Sequence, residues 1–200
     1  MSKLPDTIVM ASGNVGKLRE IARILGDLNI NIVPQSEFNV EDADETGTTF
    51  VENALIKARH AVAATGLPAI ADDSGLAVDA LHGRPGVYSS RYAGPDATDQ
   101  ENIDKLLAAL DGVPDAERGA AFHCVSCFVM PGDQEPIIAQ GEWRGSILAE
   151  KRGDGGFGYD PVFFVSEMGC SAAQMGDEEK NARSHRGKAL QELARQLHAL

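Results

Sequence analysis

Cysteine is scarce in this chain, and neither a long apolar run nor an excess of basic residues is present. Of the 200 residues, three are cysteine, an odd and small number that does not suit a disulfide framework and fits a reducing compartment. No apolar run approaches the roughly 18 residues of a membrane span. The net charge of −12 argues against a nucleic-acid partner, which requires a basic face. We therefore expect a cytoplasmic globular protein that binds neither nucleic acid nor membranes.

Two of the cysteines, Cys124 and Cys127, form a C-x-x-C pair, which is a pattern also found in metal and redox sites. The surrounding residues 121–129 have the pattern of a strand, on which side chains three positions apart point to opposite faces. A second cysteine pair is also missing. Buried structural cysteine is the favoured interpretation.

The charges are distributed unevenly along the chain. Residues 180–195 carry a net charge of +4, whereas residues 37–52 carry −6. A small anionic ligand that is accompanied by a divalent cation would use both regions. The alternative, that both stretches are solvated faces, stays open for most of the individual charges.

Short apolar runs alternate with amphipathic helical stretches, and no repeat or linker divides the chain. Capping boxes at residues 49–52 and 98–101 open two of the predicted helices. The predicted strands are 7–11, 68–71, 119–130, 137–149 and 161–165, and residues 76–78 are a candidate continuation of strand 68–71. This alternation predicts an α/β fold with a mixed central sheet flanked by helices, as one domain of two lobes over residues 1–200.

The first predicted strand leads through a tight turn into a helix, over Ser12-Gly13-Asn14-Val15-Gly16-Lys17. Backbone amides at a helix N-terminus favour a phosphate, and Lys17 adds a full positive charge. The turn is not a Walker A loop, because two residues separate its glycines and Leu18 follows the lysine. An ordinary turn with a surface lysine is the alternative.

Asp72 and Asp73 follow the predicted strand 68–71, where two carboxylates are costly unless a cation or hydrogen bonds compensate them. Mg²⁺ is a natural candidate, since it takes one or two carboxylates together with phosphate oxygens and waters. Glu45, just before the second helix, is a candidate for the second carboxylate. Alternatively, one aspartate caps a turn through Ser74 and Gly75.

The glycine-rich stretch 153–158 matches G-x-G-x-x-G letter by letter, but no helix follows it, which excludes a dinucleotide-binding turn. An aromatic ring between glycines, Phe157, close to Asp160 suits a base pocket, in which the ring stacks and the carboxylate accepts ring N–H groups. His185 and Arg186 are candidate donors to a base carbonyl. A helix with surface lysine and arginine has the same local pattern.

Taken in order, these segments resemble the inosine triphosphate pyrophosphatase family across nearly the whole chain. The matching pieces are 11–17, 45–47, 50–54, 57–58, 71–76, 155–161 and 184–187. Ser12 stands where the family commonly has threonine, and both residues keep a hydroxyl. The resemblance implies a mixed-sheet α/β fold with an active-site cleft between two lobes, usually as a homodimer. It also implies hydrolysis of ITP, dITP and XTP to the monophosphate and pyrophosphate.

The resemblance further implies roles for single residues. Glu45 and Asp73 would hold Mg²⁺, and Asp73 would also activate water. The phosphates would be bound by residues 12–17 and Lys57, while Ser74 would touch the substrate. Phe157 would stack on the base, and its edge would be bound by Asp160, Lys180, His185 and Arg186. Gly158 and Tyr159 are further candidate substrate-binding residues. The alternatives are a Maf-type pyrophosphatase for pyrimidine or modified nucleotides and a nucleotide-binding module without catalysis.

Overall fold

The structure is a computed structural model that describes residues 5–12, 15–26, 30–132 and 134–199. The strands are β1 (Thr7–Met10), β2 (Asn31–Pro34), β3 (Ala69–Val78), β4 (Gly119–Val129), β5 (Ile137–Ile147), β6 (Phe163–Val165) and β7 (Cys170–Ser171). The helices are α1 (Val15–Ile24), α2 (Phe50–Thr65), α3 (Asp99–Ala109), α4 (Asp177–Arg183) and α5 (His185–Leu197).

The strands form one seven-stranded sheet in the order β2-β1-β3-β4-β5-β6-β7. Strand β1 is parallel to β2 and β3, whereas β6 is antiparallel to β5 and β7. The predicted mixed sheet is therefore confirmed, as is the adjacency of β4 and β5. Strand β2 was not predicted, because it is short, ends in proline and has no buried residue to mark one face.

Strand β3 differs from the prediction at its C-terminal end. The sequence places Asp72 and Asp73 at the end of a strand over 68–71, with 76–78 as a candidate continuation, whereas β3 runs without a break to Val78. Both aspartates therefore lie inside the strand, and they are only 1% and 7% exposed. Aspartate is depleted in strands, so local propensity marks an end where the tertiary structure continues the strand.

The predicted capping boxes are present at two helices. At α2, Thr49 Oγ1 accepts from Glu52 N at 3.1 Å, and Glu52 Oε2 accepts from Thr49 N at 3.1 Å. Thr98 and Glu101 form the same box at α3. Each box satisfies backbone donors that the first helical turn leaves without partners, which explains why both helices begin at these residues.

The chain divides into two compact units, which the structure builds from non-contiguous segments. One contains Met1–Asp73, Cys124–Gly141 and His185–Leu200, and the other contains Ser74–His123 and Glu142–Ser184. We call them the first and the second unit. The expected single domain and the cleft between two lobes stay predictions.

Each unit has a hydrophobic core of its own. In the first unit, buried Ile8 and Met10 of β1 pack with Phe128 and with Leu190 of α5. In the second unit, the Phe163 ring lies 4.6 Å from that of Phe122 and 5.3 Å from that of Trp143, measured between centroids. Within the described ranges, no helix is long and apolar enough to cross a membrane.

The cysteines agree with the expectation from their number and spacing. All three are free thiols, and Cys124 and Cys127 are buried. Burial raises the pKa of the Cys127 thiol to about 12. Cys127 is therefore an uncharged thiol at neutral pH, which is the state of a packing residue and not of a nucleophile.

Candidate active site

Lys57 of α2 lies between two carboxylates of the first unit. Its Nζ is 2.7 Å from Glu45 Oε1 and 3.4 Å from Asp73 Oδ1. Glu45 comes from the segment before α2, whereas Asp73 belongs to β3. The structure thus brings together three predicted site residues from separate parts of the chain.

The ammonium group of Lys57 is largely buried, with 15% of the side chain exposed. Burial by itself would lower the pKa of Lys57, but the charges of Asp73 and Asp72 and the hydrogen bond to Glu45 outweigh it, and the pKa is raised above its ordinary value. Lys57 therefore carries its charge at neutral pH. This charge compensates the buried Asp73, which would otherwise be costly to ionise inside a strand.

The donor set of Glu45 and Asp73 fits Mg²⁺. Both carboxylates face one positive group, so they converge on a position where a cation is favoured. In the described part of the chain, no group of three or more His, Cys, Asp or Glu side chains is placed to hold a metal. Two carboxylates suffice for Mg²⁺, because phosphate oxygens and waters commonly complete its six ligands.

Asp72 has a different cationic partner from its neighbour Asp73. Successive side chains of a strand point to opposite faces, and Asp72 Oδ2 lies 3.4 Å from Nε of Arg186 in α5. Both side chains are buried. Arg186, which is predicted to bind the base, is thus held in a buried ion pair beside buried His185. The base-binding role of these two residues stays a prediction.

Phe157, Asp160 and Lys180 form a second cluster, in the second unit. Asp160 Oδ2 accepts from Phe157 N at 2.8 Å and from Lys180 Nζ. The same Nζ lies 5.0 Å from the centroid of the Phe157 ring. Since 60% of Phe157 is exposed, its ring is available for stacking on a planar ligand.

A glycine is required beside this cluster. Gly156 has a φ of +72°, and a Cβ at this position would lie 2.1 Å from Asp160 Oδ2. An L side chain would therefore be strained and would displace the carboxylate that binds Phe157 N and Lys180. The glycine-rich stretch 153–158, unlike a dinucleotide-binding turn, positions an acidic side chain.

Gly158 and Tyr159, which are also predicted to bind the substrate, are each held by a hydrogen bond. Gly158 N donates to Asp99 Oδ2 at 2.7 Å, and the buried Tyr159 hydroxyl donates to Ser89 O at 2.8 Å. Burial raises the pKa of Tyr159, so the hydroxyl stays protonated. The role of Asp99 is not predictable from the sequence, because 59 residues separate it from Gly158 and no local pattern links the two.

The predicted phosphate-binding turn lies only partly within the described residues. Outside them fall Gly13 and Asn14. Val15, Gly16 and Lys17 begin α1, but for these three residues the structure describes the backbone alone. Ser12 is half-buried, and its N–H donates to Met10 O at 2.9 Å. Ser74 is half-buried within β3.

Comparison with known proteins agrees with these features. A family model described as the Ham1 family matches residues 8–196. A dITP/XTP pyrophosphatase of Vibrio parahaemolyticus is 58% identical and aligns over 96% of each chain. One of Pectobacterium atrosepticum is 57% identical over 92% of this chain and 93% of that protein.

Two solved structures share the fold. A HAM1 protein from Coxiella burnetii has a TM-score of 0.92 and 53% identity, covering 97% of this chain and 99% of that one. The Ham1 protein of Staphylococcus aureus has a TM-score of 0.89 and 41% identity, covering 96% and 98%.

Proposed function

The chain belongs to the Ham1 family, and from this premise we propose that it hydrolyses ITP, dITP and XTP to the monophosphate and pyrophosphate. Membership confirms the resemblance drawn from the sequence motifs. Relatives named dITP/XTP pyrophosphatase align with 96% and 92% of the chain. These comparisons do not support the Maf-type alternative.

The observation that carries the proposal is the position of Lys57 between Glu45 and Asp73. A triphosphate needs positive groups around it, and this part of the first unit combines an ammonium with two carboxylates suited to a cation. We propose Mg²⁺ as the cofactor and Glu45 and Asp73 as its protein ligands. When bound, the ion would neutralise charge on the phosphate oxygens.

In the proposed reaction, water breaks the P–O–P bridge between the α- and β-phosphates. One product keeps the bridging oxygen, the other takes the oxygen of the water, and the protons of the water pass to the products and the solvent. Asp73 orients the water, and Lys57 neutralises charge that develops on the attacked phosphate. Residues 12–17, at the N-terminus of α1, hold the remaining phosphates.

Discrimination against adenine follows from hydrogen-bond donors, whereas guanine shares the carbonyl at position 6 and must be rejected at position 2. Hypoxanthine and xanthine carry a carbonyl at position 6, where adenine carries an amino group. His185 and Arg186 donate to that carbonyl, whereas adenine would leave buried donors without acceptors. In the second unit, Phe157 stacks on the base and Asp160 accepts from it.

A substrate panel tests this function. Purified protein with Mg²⁺ is given ITP, dITP, XTP, ATP, GTP, dTTP and UTP, and released pyrophosphate and inorganic phosphate are measured separately. We expect pyrophosphate from the first three nucleotides at rates well above those from ATP and GTP. Release of inorganic phosphate, a preference for dTTP or UTP, or binding without turnover would each contradict the proposal.

Two further expectations stay predictions. A homodimer follows from the family resemblance, and light scattering of the purified protein measures it directly. The cytoplasmic location rests on the amino-acid sequence and is checked by fractionation of cells.

A further inference from the structure

Asn53 is fully buried, with 0% of its surface exposed, and it lies one residue after the capping box of α2. Its Nδ2 donates to Asp73 Oδ2 at 3.1 Å, and its Oδ1 accepts from Gly47 N at 2.8 Å. Gly47 is two residues beyond Glu45. One buried amide therefore joins the segment that carries Glu45 to the strand that carries Asp73.

The two partners determine how the amide of Asn53 is oriented. The N–H of Gly47 can only donate, and an ionised carboxylate can only accept, so Oδ1 faces Gly47 and Nδ2 faces Asp73. Exchange of the oxygen and nitrogen would break both hydrogen bonds. The amide thus holds Oδ2 of Asp73, while Oδ1 of the same carboxylate faces Lys57 at 3.4 Å.

We propose that Asn53 is a positioning residue, which sets the carboxylates of Glu45 and Asp73 relative to each other for Mg²⁺. The inference rests on the proposed function, because it takes these two residues as the metal ligands. Asn53 acts through its hydrogen bonds to Asp73 and to the backbone of Gly47. Loss of such an outer partner typically weakens metal binding by about 10- to 100-fold.

Helix α3 provides a matched control within the same chain. Its capping box, Thr98 and Glu101, is also followed by a buried asparagine, Asn102, which is 3% exposed. Asn102 Oδ1 accepts from Ala93 N at 2.7 Å, and its Nδ2 donates to Ser90 O at 3.1 Å. Asn102 therefore has the same helix position, burial and number of hydrogen bonds as Asn53, but its partners are backbone atoms.

The experiment compares Asn53→Leu with Asn102→Leu in the full chain. Both variants lose two buried hydrogen bonds, so both lower the midpoint of urea unfolding by similar amounts. Only Asn53→Leu is expected to raise, by about 10- to 100-fold, the Mg²⁺ concentration that half-maximally supports pyrophosphate release from ITP. In the absence of nucleotide, the Mg²⁺ concentration that is needed to raise the melting temperature of Asn53→Leu should also increase. An equal Mg²⁺ dependence in the two variants overturns the proposal.

A second variant covers the case in which Asn53→Leu does not fold. A Cβ at Gly47 would lie 2.6 Å from Asn53 Oδ1 and 2.6 Å from Glu52 Cβ, so Gly47→Ala displaces the amide without removing it. We expect the same loss of Mg²⁺ affinity, and an unchanged affinity in this variant contradicts the proposal. Failure of the proposed function is distinct, because wild-type protein itself would then release no pyrophosphate from ITP.

Discussion

Asp72 and Arg186 are 114 residues apart in the chain, yet Arg186 Nε lies 3.4 Å from Asp72 Oδ2. Their side chains are 0% and 7% exposed, so this ion pair lies in the protein interior. The neighbouring Asp73 has its own cation, Lys57. Two adjacent carboxylates in one buried strand are thus tolerated because each has a separate positive partner.

Asp72→Asn removes the charge that compensates Arg186. We expect the free energy of unfolding in urea to fall by about 3 to 5 kcal/mol, the usual effect of breaking a buried ion pair by removing one partner. Glu192→Gln is the control, since it removes the partner of the exposed Arg195, 2.6 Å away, and little change is expected. Equal losses in the two variants would show that the buried pair contributes no more than a surface pair.

Asp73→Asn keeps the size of the side chain and an acceptor for Asn53. It removes the charge that the proposed reaction requires, so pyrophosphate release from ITP should fall by at least about 100-fold. Circular dichroism should remain that of the wild type. Turnover within a few-fold of the wild type would exclude Asp73 as the central carboxylate.

Lys57→Met removes the ammonium and leaves Glu45 and Asp73 facing each other. The repulsion between the carboxylates should lower the melting temperature without metal, and Mg²⁺ should raise it more than in the wild type, because no ammonium competes for the position. Lys105→Met is the control, since that lysine donates to Tyr92 O at 2.6 Å on the surface. A Mg²⁺ response no larger than that of the wild type would contradict the proposed metal position.

Phe157→Ala removes the exposed ring of the second unit. Stacking of a base on an aromatic ring contributes about 1 to 3 kcal/mol, so KM for ITP should rise by roughly 5- to 150-fold. Unfolding should be little changed, because 60% of the residue is exposed. Phe38→Ala removes another exposed ring, 38% exposed, and is expected to leave KM unchanged. A similar KM in both variants would argue against stacking on Phe157.

Thiol reactivity should follow burial. Burial raises the pKa of Cys127 to about 12. The uncharged thiol therefore contributes fully to folding stability at a pH below the ordinary pKa of cysteine, and this contribution is lost as the pH rises towards 12. With a thiol reagent at pH 8, we expect half-buried Cys170 to react first, and Cys124 and Cys127 only on unfolding. Peptide mapping by mass spectrometry identifies the labelled residues. Equal rates for Cys127 and Cys170 in the folded protein would contradict this order.

Local signals in the sequence predicted those elements whose ends depend on nearby residues. Thr49 and Glu52 are three positions apart, so the start of α2 is readable from the chain alone. The interruption predicted after residue 71 of β3 was wrong, because Asp72 and Asp73 are poor strand formers and their cationic partners belong to distant helices. Asn53 was overlooked as a bridge, because its partners Gly47 and Asp73 meet only after folding.

Short motifs and periodicity are local properties, so they are enough to predict the class of the fold, the family and the residue types of the candidate site. The position of Lys57 between Glu45 and Asp73, and the pairing of Asp72 with Arg186, become apparent only in the folded chain. Such contacts depend on how helices and strands pack. A buried carboxylate then takes whichever cation the packing brings within reach.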